Sequence, residues 1–137
     1  MKLIDKALFL KSTYLFQQVE FDIALAIADR LETLDLKQGE HLFQEGDSAA
    51  GLYFVFDGSV RLNSQGQIEE LEASDFFGDE SLFSEGARGY SCEALSPVTL
   101  LLLSKSHFFT LLSEVPSIAR ELLSLYANQI SLRPRVH

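Results

Sequence analysis

The sequence predicts an α+β domain, mainly β: an antiparallel β-roll or jelly-roll-like barrel (a double-stranded β-helix), flanked by N-terminal helices and two C-terminal helices. Three observations carry this. Between residues 33 and 104, short apolar runs alternate with the turn signals Gly39, Gly46-Asp47, Asp57-Gly58, Ser64-Gln65-Gly66-Gln67 and Ser96-Pro97, a spacing that suits a small antiparallel roll. On either side the apolar period lengthens to that of amphipathic helices. The chain's 137 residues, 47% hydrophobic, suffice for one domain with one core. The parts are residues 1–32 (helices), 33–104 (roll) and 105–137 (helices).

Leu3, Ile4, Ala7, Leu8 and Lys11 follow helical spacing, with Leu, Ala and Lys all good helix formers. A second helix is expected from Phe21 to Leu31, burying Ile23, Ala24, Ile27 and Leu31 along one face. Glu20 precedes it and is a poor N-cap. From Thr33 the period drops to two, with Leu34 and Leu36 against Asp35 and Lys37, as in a strand with one wet face. Leu42 and Phe43 lie between the next two turn signals. Leu52–Phe56 reads as a strand covered on both faces, and Asp57-Gly58 after it is a hairpin signal. Val60 and Leu62 continue, and Ser91–Leu95 and Val98–Leu103 form two more strands. Ser106 is the expected cap of a helix carrying Phe108, Phe109, Leu111 and Leu112. Pro116 suits the first turn of the next. Its stripe is Ile118, Leu122, Leu125, Tyr126 and Ile130, and Pro134 should stop it.

Charge and composition exclude several functions. The net charge of −9 repels nucleic acid and anionic membranes. Leu52–Phe56 and Leu100–Leu103 are too short to span a bilayer, so no membrane insertion is expected. Asp5, Lys6 and Lys11 break any signal-peptide core. The single cysteine, Cys92, rules out an internal disulfide and fits a reducing cytoplasm, where the domain is expected. His41, His107 and His137 have no Cys or His at ligand spacing, so no metal is expected. No nucleophile signature occurs. The chain is read as a non-enzyme with no cofactor.

The most informative stretch is Asp75–Ala94, D-F-F-G-D-E-S-L-F-S-E-G-A-R-G-Y-S-C-E-A. It reads as strand end, Gly turn, one helical turn, loop and strand. Gly78 allows a positive φ or a close approach, and the turn after it can point backbone N–H groups one way. Arg88 adds a permanently charged planar fork suited to phosphate.

This stretch resembles the phosphate-binding cassette of cyclic-nucleotide-binding domains, roughly F-G-E-x-A-L followed by R-[ST]-A-[TS]. Phe77, Gly78, Leu82, Arg88 and Ser91 match; Asp79 replaces Glu, Gly89 replaces Ser/Thr, and Tyr90 replaces Ala. Gly39-Glu40, Gly46-Asp47, Tyr53 and Gly58-x-Val60 match the family's first half. The resemblance, with the cassette at 76–91, implies a regulatory or sensor domain in signal transduction. Its implied ligand site comprises Phe77, Gly78, Asp79, Glu80, Ser81, Arg88 and Gly89, with Tyr90 and Arg133 facing the base. cAMP is the expected ligand, and cGMP is disfavoured because Gly89 lacks the hydroxyl. The last helix would serve as a lid. The 137 residues leave no room for the winged-helix DNA reader of the family's bacterial regulators, so the output is expected in a protein partner, a homodimer or sequence elsewhere.

Each role has a plainer alternative. Arg88 can pair with Asp79, Glu80 or Glu85. Asp79 and Glu80 can simply favour the positive end of a short helix. Tyr90 can stack on a base or fill the pocket, and filling would make this a degenerate, ligandless fold acting as a protein-interaction module. Tyr90 out with Arg88 unpaired favours sensing; Tyr90 in with Arg88 tied to Asp79 favours the module.

Overall fold

A computed structural model describes residues 1–82 and 87–128, with 125–128 described by backbone alone. Two helices, α1 (Leu3–Leu10) and α2 (Phe21–Ala28), precede eight strands: β1 (Glu32–Leu36), β2 (His41–Phe43), β3 (Gly51–Asp57), β4 (Ser59–Ser64), β5 (Gln67–Glu72), β6 (Phe76–Phe77), β7 (Ser91–Ala94) and β8 (Val98–Ser104). A 3₁₀ turn, Asp79–Leu82, follows β6, and α3 (Lys105–Glu114) and α4 (Ser117–Asn128) follow β8. The strands form two four-stranded antiparallel sheets, ordered β1-β8-β3-β6 and β2-β7-β4-β5. This is the expected β-roll with helices at both ends.

The strand alternation explains why β3 and β8 read as continuous apolar runs. Leu52, Phe54, Leu101, Leu103 and Phe76 join a core shared with the helices. Their neighbours Tyr53, Val55, Leu100, Leu102 and Phe77 join a second core inside the roll, with Val60, Leu62, Leu71, Cys92 and Ala94. Side chains of period two thus serve two cores from one sheet.

Several expectations need correction. Asp57-Gly58 makes no hairpin: β3 and β4 lie in different sheets, so the chain crosses there from one sheet to the other. Gly58 has φ +92°, and a Cβ would run into the Pro97 carbonyl and Val98; the glycine answers a close backbone approach. The tight hairpin is Gln65-Gly66, between Ser64 and Gln67, with φ of 53° and 88°, the paired positive values that match strand twist. The α3 cap is Ser104, which accepts from the His107 N–H at 3.2 Å, two residues before the expected Ser106. The reason is that β8 runs directly into the helix.

α2 ends at Ala28, three residues earlier than expected. Arg30 and Leu31 donate instead to Ile27 and Ala28, an i to i−3 tightening of the last turn. Glu20 makes no side-chain cap bond. In α1, Ala7 and Leu10 are buried while Leu3, Ile4 and Leu8 are exposed; the apolar spacing marked the helix but not the face that packs. Pro116 stands just before α4, whose Ala119 N–H reaches the Pro116 carbonyl at 3.1 Å. Ile118 and Leu122 are buried in the core shared with α1 and α2, while Ile130, Arg133 and Pro134 lie outside the described residues. No described helix is long and apolar enough to cross a membrane.

Candidate functional site

The site is organised by the registers around β3. Phe77 pairs with Tyr53, and their rings stack at 5.1 Å between centroids with 14° between planes. The chain leaves β6 at Gly78 with φ +87°. A Cβ there would lie 2.5 Å from the Gly51 carbonyl oxygen and 3.0 Å from Arg88 Nη1. Gly78 therefore lets the cassette backbone and the guanidinium share one small space. The backbone of Arg88 is fixed separately: its N–H donates to the Asp47 carbonyl and its carbonyl accepts from the Gly46 N–H, both at 2.8 Å. The Gly46-Asp47 turn thus fixes where Arg88 enters the site.

The Arg88 side chain is almost wholly buried, at 1% exposure. Nη2 donates to the Gly51 carbonyl at 2.8 Å, and Nη1 reaches Glu80 Oε1 at 3.5 Å. Nε is buried and has no hydrogen-bond partner among the described residues. The guanidinium lies 4.6 Å from the Phe43 ring centroid and 5.6 Å from that of Tyr53, distances at which aromatic faces attract a cation. Burying a cation with donors unused is costly, so the ring faces, the Gly51 carbonyl and Glu80 share the work of holding it.

Tyr90 is in phase with the inward residues Cys92 and Ala94 of β7. It is 3% exposed, and its ring packs edge-on against Phe43 at 5.5 Å. Its hydroxyl donates to Glu80 Oε1 at 2.6 Å. Burial and the neighbouring Glu80 carboxylate push the Tyr90 hydroxyl pKa upward. Burial raises Tyr53 as well, against a downward pull from Arg88, and pushes the Cys92 thiol up to about 12.

The structure brings together four of the residues singled out by sequence: Gly78, Glu80, Arg88 and Tyr90. Phe77 lies in the roll core rather than facing an opening. Asp79 is 1% exposed. The Ser81 hydroxyl is placed to donate to the Gly78 carbonyl at 2.6 Å or that of Gly51 at 3.3 Å, and its N–H is already taken by Gly78; this N–H is therefore not one of the unpaired donors expected after Gly78. Gly89 is half-buried between Arg88 and Tyr90, and Arg133 falls outside the described residues. Arg88 meets the carboxylate of Glu80, one of the three partners offered by the sequence. Sequence reasoning missed Gly51, which holds the guanidinium from 37 positions away, and the roles of Phe43 and Tyr53 beneath it. No local signal marks a carbonyl acceptor so distant in sequence. Among the described residues, no group of three metal-ligating side chains converges.

The sequence model of the cyclic nucleotide-binding domain matches residues 33–115. This chain belongs to the cyclic nucleotide-binding domain family. The cyclic AMP receptor protein of Thermus thermophilus is 31% identical over 81% of the chain, which spans 53% of that relative. A cAMP-dependent protein kinase regulatory subunit of Debaryomyces hansenii is 28% identical over 82% of the chain, which spans 25% of it. The chain therefore spans about half or less of these relatives' length. Among solved structures, the N-terminal domain of a transcriptional regulator from Streptomyces coelicolor superposes with a TM-score of 0.80, at 29% identity, covering 89% of this chain and 91% of that one. Arg88, the arginine that the resemblance to this family singled out, is buried over the Phe43 and Tyr53 rings.

Proposed function

We propose that this regulatory domain senses a cyclic nucleotide, cAMP in preference to cGMP, through Arg88. The observation that supports it is the guanidinium itself: anchored by the Gly51 carbonyl, lodged against Gly78, with Nη1 3.5 Å from Glu80 Oε1 and with Nε unpartnered among the described residues. A buried cation with spare donors is a receptor for an anion, and a cyclic phosphate has the charge and the acceptor oxygens. Asp79 stands where the ribose hydroxyl would be met, and Gly89 offers no hydroxyl to a guanine. Binding acts by population shift, biasing the cassette and the last helix by the ligand's affinity difference between two arrangements. The output passes to a partner, a second copy or sequence beyond these residues.

A second reading has its own observation. Tyr90 is turned inward and bonded to Glu80, as in a fold that has filled its pocket and acts as a protein-interaction module. Calorimetric titration with cAMP and cGMP, beside Arg88→Ala, separates the two. Micromolar cAMP binding that disappears in the variant supports sensing. Silence with both nucleotides at millimolar concentration removes sensing and leaves the module.

A further inference from the structure

We propose that Glu80 is a built-in competitor for the anion that Arg88 holds, clamped in place by the Tyr90 hydroxyl, so that a ligand's phosphate must displace a carboxylate of the chain itself. The inference rests on the sensing reading and names the regulation of that site. One oxygen, Glu80 Oε1, accepts from Tyr90 at 2.6 Å and faces Arg88 Nη1 at 3.5 Å. The pair is asymmetric in burial: the Glu80 side chain is 34% exposed and that of Arg88 is 1% exposed. Glu80 can swing into water without leaving a buried charge behind on itself, whereas Arg88 is held by Gly51, Phe43 and Tyr53 and cannot follow. The carboxylate is therefore the movable half.

The clamp also couples ligand entry to the roll interior. When Glu80 leaves, Tyr90 loses the acceptor of its buried hydroxyl, and an unsatisfied buried hydroxyl is costly. The Tyr90 ring, packed on Phe43, then has reason to shift, opening space next to Arg88. Local acid content is thus not incidental: it raises the threshold for the signal, and the chain answers only to a ligand that outcompetes its own carboxylate.

The test uses the whole chain in three forms: wild type, Glu80→Gln and Tyr90→Phe. Glu80→Gln keeps shape and an acceptor oxygen but removes the charge. Calorimetry with cAMP should find it binding about tenfold more tightly than wild type, the size of one charge-assisted hydrogen bond. Tyr90→Phe keeps the ring and releases the carboxylate, and should tighten binding about threefold by the same route. Equal cAMP affinity in all three forms overturns the competitor while leaving sensing intact. If all three are silent to millimolar cAMP and cGMP, sensing fails on its own, and amide hydrogen exchange without nucleotide decides the clamp. Faster exchange across 76–82 and 87–92 in Tyr90→Phe upholds it; unchanged exchange overturns it.

Discussion

Gly78 is where backbone and side chain compete for the same volume. With φ +87° and the Gly51 carbonyl 2.5 Å from where a Cβ would stand, Gly78→Ala meets both a strained conformation and a backbone clash. The expected loss is about 1–3 kcal/mol, read as a lower urea midpoint at unchanged slope. The clash also pushes on Arg88 Nη1, so cAMP affinity should fall further than stability alone explains. The sequence marked Gly78 and Arg88 as a pair because they share a motif. It did not mark Gly51 or Phe43, nor a place for Tyr53 at the guanidinium, although these residues hold it from two other strands, β2 and β3.

At the scale of single elements, the junction of β8 and α3 gives a sharp comparison. Ser104 both ends the strand and caps the helix through the His107 N–H, while Ser106 lies inside the first turn. Ser104→Ala should cost about 1 kcal/mol in chemical denaturation, the usual worth of such a cap. Ser106→Ala should change stability by no more than about 0.5 kcal/mol. The reverse order would return the cap to the position expected from sequence. The Asp57-Gly58 and Gln65-Gly66 turns make a related point. Both look alike in sequence, yet only the second closes a hairpin, because β3 and β4 are claimed by different sheets.

For the whole molecule, the raised hydroxyl and thiol pKa values make a statement about alkaline stability. Cys92, Tyr90 and Tyr53 are neutral when protonated, and burial lifts all three above their unfolded values. Below the unfolded thiol value of 9.0 both states hold their protons, and the stabilisation is present in full. As pH rises past it, the unfolded chain releases protons that the fold retains, so stability falls. For Cys92 the loss continues up to the folded value of about 12. Urea midpoints measured from pH 7 to 11 should be flat to about pH 9 and then decline. In the native state Cys92, fully buried, should resist thiol reagents at pH 8 and react once urea unfolds the chain.

The two faces of one sheet explain what was legible. Period-two runs in β3 and β8, helical spacing at both ends and the turn signals between them are local properties of the chain. They determined the β-roll and its flanking helices, and the cassette motif placed Arg88 and Gly78. Which sheet each strand joins, which face of α1 packs, and whether Tyr90 points in or out were decided only by tertiary structure. These depend on contacts between residues tens of positions apart: Tyr53 with Phe77, Arg88 with Gly51, Phe43 with Tyr90. Local sequence carries propensity and period, and those do not encode which distant carbonyl or ring will be waiting when the chain closes on itself.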